Sequence, residues 1–313
     1  MTRPEEHFEK LRSCIPEGGN SSARAFHAAG ETPVFMDRAG EPTQKQLDKY
    51  DKLKTYLREL GTVAVAFSAG VDSTFLLKTA WDTLGDCAIA VTVRTPFFPE
   101  RETKESEEFC RREGIRQYFC DVGIGEIDGF AQNPQNRRYL CKRVLFENMA
   151  ETAGKHNVKY VVEGSNVDDL GDYRPGMQAV EELGIKSPLK DCGLTKEDIR
   201  ALSRYLGLGT WDKHSLACLA SRFAYGQRIS REALGVVERA EQMLRDMGAG
   251  QCRVRVHGEL ARIEVPPETF PVLTEPEHCR QIVQALKESG FTYVTMDLAG
   301  FRTGSMNEVL KEQ

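Results

Sequence analysis

No apolar run in this chain approaches the roughly 20 residues that a membrane-spanning helix requires. The amino terminus, Met1-Thr2-Arg3-Pro4-Glu5-Glu6, is charged and lacks the apolar stretch of a secretory signal. A cytoplasmic protein without a membrane partner is therefore expected. An excess of positive charge is missing as well. Lys and Arg number 42 against 47 Asp and Glu, a formal net charge of −5. That balance argues against a broad nucleic-acid surface and leaves room for a local basic pocket. The cysteine pattern is not that of a disulfide framework. The nine cysteines are odd in number and scattered, so reduced thiols are expected. The Gly-Lys-Ser/Thr ending of a Walker A loop is also lacking.

What the chain does have is length and apolar content. Its 313 residues, 40% apolar and 28% charged, suit a globular protein of two domains. Val63-Ala64-Val65-Ala66-Phe67 is a buried-strand run that enters the small, polar turn Ser68-Ala69-Gly70-Val71-Asp72-Ser73. Residues 75–80 then have helical spacing, so the pattern reads as strand, tight loop, helix. Main-chain N–H groups of such a loop and the helix N-terminus favour an anion. The alternative is an ordinary turn capped by Ser68 or Asp72. Ala69 is tolerable there at negative φ, and costs roughly 1 kcal/mol or more at positive φ.

Upstream, residues 1–42 are rich in Gly, Pro, Ser and charge and read as a poorly ordered extension, its Cys14 incidental. Residues 44–60 have helical spacing between Thr43 as N-cap and Gly61 as C′ residue. Downstream, strands are expected at 87–93, 116–122 and 159–163, with helices at 100–113 and 138–152. This alternation predicts an α/β fold with a parallel, Rossmann-like sheet and ligands at the carboxyl ends of its strands. Gly164-Ser165-Asn166-Val167-Asp168-Asp169 falls at such an end. Asp168 and Asp169 read either as Mg²⁺ ligands beside phosphates or as a solvated acidic turn. Arg174, between Tyr173 and Pro175, reads as a carboxylate or phosphate clamp or as a surface charge. A helix at 195–206 opens on Thr195-x-x-Asp198, a variant of the capping box. Cys218 lies four residues before Arg222. It reads as a nucleophile whose pKa that arginine lowers, or as a buried structural cysteine.

Past Gly226 the pattern changes. Helices at 233–247 and 280–289 and strands at 251–257, 260–265 and 291–298 predict a smaller α+β domain of ferredoxin-like character. The expected organisation is thus extension 1–42, nucleotide domain 43–226 and C-terminal domain 227–313. Arg253 and Arg255 share one strand face, with Arg262 and Arg302 expected nearby. Adjacent like charges repel unless an anion joins them. The group is either an anion site or a solvated charged face.

Residues 68–73 resemble the SGGxDS signature of the PP-loop ATP pyrophosphatases, with Ala69 where glycine is usual, and residues 164–169 resemble that family's GTNxDD turn. Four patches in order, residues 68–73, 172–176, 218–226 and 298–307, resemble the ATP-dependent sacrificial sulfur transferases (LarE) among them. The likeness implies a PP-loop, adenine nucleotide α-hydrolase-like domain. It implies ATP-dependent sulfur transfer in nickel-pincer nucleotide biosynthesis, the cofactor of lactate racemase. One carboxylate of pyridinium-3,5-biscarboxylic acid mononucleotide is adenylated, with release of pyrophosphate. The protein's own cysteine then supplies sulfur and is left as dehydroalanine. By motif match Cys218 is the donor, and Arg222 and Arg174 orient the reacting groups. Ser68, Ala69, Gly70, Val71, Asp72 and Ser73 hold ATP, and Asp72, Asp168 and Asp169 hold Mg²⁺. Arg253, Arg255 and Arg302 take the substrate phosphate. A homo-oligomer, a hexamer by resemblance, is implied. In relatives with a [4Fe–4S] cluster a Cys-x-x-Cys pair joins a third cysteine. Here that stretch is Arg138-Tyr139-Leu140-Cys141, so no iron–sulfur cluster is expected. The alternatives are a cluster enzyme using external sulfide and an ammonia-using amide ligase of the NAD or GMP synthetase kind.

Overall fold

Apolar runs long enough to be buried on both faces set the first half of the chain. The computed structural model describes residues 41–171, 175–213, 217–302 and 304–310. Helix α1 (Gln44–Leu60) comes first; Thr43 caps it in a capping box with Gln46, and Gly61 closes it at φ 74°. Then follow β1 (Val63–Ala66), α2 (Val71–Leu84), β2 (Ala88–Arg94), α3 (Glu100–Glu113), β3 (Gln117–Asp121), α4 (Arg137–Lys155) and β4 (Tyr160–Val162). The extension expected over residues 1–42 lies, up to residue 40, outside the described residues, and Cys14 with it.

The four strands form one parallel sheet in the order β3-β2-β1-β4. Strand alternation sorts their side chains. Val63, Val65, Ala88, Ala90 and Val162 pack with Leu53, Leu57, Phe75 and Leu76 of α1 and α2. Ala64, Ile89, Val91 and Val161 pack on the other side with Leu145, Phe146 and Met149 of α4. The expected α/β class is therefore what the chain adopts. From β1 the chain steps one way to β2 and β3 and the other way to β4, so the switch point lies between β1 and β4. Residues 68–73 and 164–169 leave those two strands at their carboxyl ends.

The remainder comprises α5 (Pro175–Glu182), α6 (Lys196–Tyr205), α7 (Arg231–Asp246), β5 (Arg253–His257), β6 (Leu260–Glu264), α8 (Pro276–Glu288) and β7 (Tyr293–Met296). Thr195 caps α6 with Asp198 in the expected box. The second sheet runs β5-β6-β7, with β5 and β6 antiparallel and β6 and β7 parallel. Its α+β character matches the sequence pattern, but its order is not ferredoxin-like. The α8 crossover returns β7 directly beside β6, where a ferredoxin-like unit would place another strand between them. Within the unit Pro42–Gln313 the two sheets share one core. Leu234, Val237, Val254, Val256 and Ile263 belong to the same apolar cluster as Ala64 and Ile89. Phe223, just past the Cys218 segment, forms an isolated parallel bridge with Val256 of β5.

Candidate active site

The loop after β1 is held by short polar side chains. Ser73 Oγ donates to the Gly70 carbonyl at 3.3 Å, accepts the Ser68 N–H at 3.3 Å and lies 3.2 Å from Ser68 Oγ. Gly70, not Ser68 or Asp72, is the N-cap of α2, and no side chain caps that end. The first-turn N–H groups are thus in the condition that receives an anion. Ala69 sits at φ 53° and is 4% exposed. The left-handed cost foreseen for a residue with a Cβ is therefore present. Ala69→Gly should relieve roughly 1–2 kcal/mol of backbone strain and return about 0.5–1 to glycine's unfolded-state freedom. A net gain of about 0.5 kcal/mol or more is expected in urea unfolding; a loss would show that the loop tolerates this alanine without strain. Across the switch point, a Cβ on Gly164 would meet Asp72 Cβ and Ser73 N, each at 3.2 Å. A side chain there would push the start of α2 away by a few tenths of an ångström, so glycine suits this close approach.

That approach brings Asp72 to Asn166 Nδ2 at 3.3 Å and to Lys196 Nζ at 2.5 Å. Asp168 and Asp169 also accept main-chain N–H groups. Asp169 accepts the Asn166 N–H at 2.9 Å, and Asp168 accepts the Lys196 N–H at 2.7 Å, so both carboxylates cap turns. Among the described residues no three His, Cys, Asp or Glu side chains converge on one point. The donor set, Asp72, Asp168 and Asp169, fits magnesium only as an ion completed by phosphate oxygens and water. Arg174 lies outside the described residues.

The cysteine segment is laid against the carboxyl ends of β1 and β2. The Leu219 N–H donates to Phe97 O at 2.9 Å. Lys213 Nζ donates to Ala69 O at 2.8 Å and pairs with Glu105. Cys218 caps the 3-10 turn Leu219–Arg222. Arg222, 2% exposed, donates its Nη1 to the carbonyls of Ala217 at 2.5 Å and Cys218 at 3.0 Å. Its Nε and Nη2 grip both oxygens of Glu241, at 2.8 and 2.9 Å. The arginine therefore orients the main chain around the cysteine while its charge is met by Glu241. Burial pushes the Cys218 thiol up, against the pull of Arg137 and Arg222. The lowered thiol pKa expected from Arg222 is not found, because burial outweighs both arginines. Cys141 is raised too, by burial and then by Cys218.

Glu102, in the first turn of α3, also acts on Cys218. Burial pushes its carboxyl up to about 7, although Lys213 and Arg101 oppose the shift. A folded-state value above the ordinary 4.5 means that the folded protein binds the extra proton. Stability from this group is therefore lost as pH rises from about 4.5 to about 7, and stays lost above. Glu102→Gln should raise Tm by a few degrees at pH 8 and little at pH 5. Equal shifts at both values would refute the assignment.

Four arginines of the sequence pattern meet in this fold. Arg255 places Nε and Nη2 at 3.0 and 2.9 Å from Glu264 Oε2, Arg262 reaches the other oxygen at 2.9 Å, and Arg302 meets Asp297 at 3.1 Å. The protein's own carboxylates thus join the like charges. Arg253 stacks over Phe301 at 5.2 Å, and burial with Arg222 nearby pulls its pKa down to about 10. Arg253, Arg255 and Arg302 line one cavity of about 280 Å³, with Arg137, Ser221 and Tyr225. Arg200 of α6 also lines it. Lys196, one turn earlier on the same helix, holds Asp72, so α6 joins cavity and loop.

No family model matches the chain. It is 39% identical, over 84% of its length and 98% of the other protein's, to an uncharacterised protein of Synechocystis sp. (strain ATCC 27184 / PCC 6803 / Kazusa). It is 34% identical to the pyridinium-3,5-bisthiocarboxylic acid mononucleotide synthase of Lactiplantibacillus plantarum, over 81% of this chain and 92% of that one. The chain belongs to the LarE family of PP-loop sulfurtransferases. A glutamine-hydrolysing GMP synthase chain from Sulfurisphaera tokodaii is similar over a shorter stretch, 26% identical across 50% of this chain and 47% of its own. That likeness marks the wider PP-loop group to which the LarE family belongs.

For a LarE-family chain, the residues that motif reading missed are Arg137, Lys196, Lys213, Glu102 and Glu241. One carried a signal. Lys196 opens a helix, where the dipole disfavours a cation, and that misfit is resolved by Asp72. The others meet partners more than a hundred residues away or on another element, which spacing does not reveal.

Proposed function

We propose that this protein carries out ATP-dependent sulfur transfer to a carboxylate of pyridinium-3,5-biscarboxylic acid mononucleotide, using Cys218 as the donor. The observation that carries the reading is the contact of Lys213 Nζ with Ala69 O. It ties the cysteine segment to the loop that would hold the ATP phosphates. Ser68 to Ser73 grip pyrophosphate with main-chain donors, and Asp72 faces the same point. Magnesium, when bound with ATP, would neutralise phosphate charge. The substrate carboxylate attacks the α-phosphorus and pyrophosphate leaves. The Cys218 thiol, whose proton can pass to Glu102, attacks the acyl adenylate and AMP leaves. Loss of the Cys218 Cα proton then breaks Cβ–S, so that sulfur stays on the substrate as thiocarboxylate and the protein keeps dehydroalanine.

Arg222 fixes the Cys218 main chain, and Arg174 is assigned to orient the substrate. Arg253, Arg255 and Arg302 receive the substrate phosphate. Residues 43–226 would do the chemistry, and 227–313 would hold phosphate and support self-association, as a hexamer by family likeness. The setting is cytoplasmic. Intact-mass measurement after turnover with ATP, Mg²⁺ and the dicarboxylate nucleotide tests this: the mass should fall by about 34 Da, one H₂S, at Cys218. Repeated turnover at constant mass would end the proposal.

A second reading, sulfide carried on a [4Fe–4S] cluster, is favoured by one observation. Arg137, one turn before Cys141 on α4, donates to Ala220 O, two residues past Cys218, so the two thiols share a neighbourhood. Stoichiometric iron and labile sulfide in anaerobically prepared protein would select it.

A further inference from the structure

Arg137 is a buried cation that no acid among the described residues answers. It is 5% exposed. Its Nη1 bonds the Asn133 side chain and donates to Ala220 O at 2.8 Å, and its guanidinium stands 5.5 Å from the Tyr225 ring centre. Among the described residues it pairs with no carboxylate, and its Nε and Nη2 donate to no protein group. A brace for the Ala220 carbonyl needs one donor and no charge. A guanidinium kept in a low-dielectric place without a counter-ion carries a standing penalty, which an anionic guest removes. Arg137 also lines the arginine cavity. Of the groups that can be negative, Cys218 acts on it most strongly. Arg137 holds Ala220 O, and Ala217 and Ser221, which flank the Cys218 turn, line the cavity with it, so it marks the end nearest the sulfur donor, and Arg253 and Arg302 mark the rest.

We infer that Arg137 is a substrate-binding residue that holds the reacting carboxylate of the pyridinium nucleotide, and then its thiocarboxylate, beside Cys218. The inference rests on the substrate reading above. The phosphate is excluded from this end because a thiol that must reach a carbonyl carbon needs the carboxylate next to it. The fork geometry of a guanidinium suits a planar carboxylate, which two parallel N–H groups can grip.

Equilibrium dialysis with two probes tests the assignment. One probe is pyridinium-3,5-biscarboxylic acid mononucleotide; the other is nicotinamide mononucleotide, which keeps ring and phosphate but has an amide and no carboxylate. Arg137→Gln should weaken the first by about 10- to 100-fold, the range for a hydrogen bond to a charged group. It should change the second by less than about twofold. Arg137→Lys keeps the cation and a donor for Ala220 but loses the fork. It should lose about three- to tenfold on the dicarboxylate alone, and it serves if the glutamine variant fails to fold. Equal weakening of both probes, or of neither, overturns the role of Arg137 and leaves the substrate reading standing. Wild-type protein that fails to bind the dicarboxylate removes both.

Discussion

Glu241→Gln should destabilise the protein by about 3–5 kcal/mol, the range for removing one partner of a buried ion pair. Glu241 is 1% exposed. Besides Arg222 it accepts the Val254 N–H at 3.1 Å and Arg245 Nη2 at 3.1 Å. An amide in its place would leave Arg222 charged and buried, and would turn one donor toward another. Against the upward push of burial, Arg222 and Arg253 hold the Glu241 carboxyl below its usual range. Its contribution to stability is therefore present above the ordinary value of 4.5 and is lost as pH falls through the folded-state value. Urea unfolding of the variant at pH 7 measures the effect, and the wild type should lose the difference on acidification. The double variant Arg222→Met with Glu241→Leu should recover part of the loss, since apolar replacement of both partners is often neutral. Recovery is expected to be partial because the Ala217 and Cys218 carbonyls would lose their donor. A cost below about 1 kcal/mol would place the pair in water rather than in the core.

Cys218→Ala should separate the two half-reactions. In the proposed mechanism adenylation depends on the loop at residues 68–73, Asp72 included, which the substitution does not touch. Pyrophosphate release on a first encounter with ATP and the dicarboxylate should therefore persist. Thiocarboxylate formation should fall by about 10³-fold or more, as for loss of a nucleophile. Because the raised thiol is an unusual setting for a nucleophile, the pH profile is informative. On the proposed role of Glu102 as acceptor of the thiol proton, transfer in the wild type should climb through about pH 7, where that carboxyl ionises. Full sulfur transfer by the alanine variant would assign the donor elsewhere.

The order of strands and helices was legible because buried parallel strands are long apolar runs, and caps such as Thr43 and Thr195 announce themselves at fixed spacing. The loop at residues 68–73 was legible as a motif. Its strain at Ala69 was legible as a condition, since sequence named the cost but not the sign of φ. Arg222 shows the limit. Its distance of four residues from Cys218 suggested a partner for the sulfur, and the fold turned it toward Glu241 on a helix 19 residues on. Asp168 and Asp169 accept the backbone N–H groups of Lys196 and Asn166, contacts that spacing did not announce. Arg137 carries no such mark: it stands beside Arg138, and no spacing in the chain points it to Ala220, 83 residues on.

The apolar cluster that runs from Ala64 and Ile89 to Val254 and Ile263 makes the two sheets mutually dependent in descent as well as in folding. A volume change at Val254 or at Ile89 is felt within one continuous packed cluster. Recombination that joined the carboxyl-terminal third of one relative to the front of another would have to carry matching volumes across the seam. Such chimaeras should survive only between close cousins.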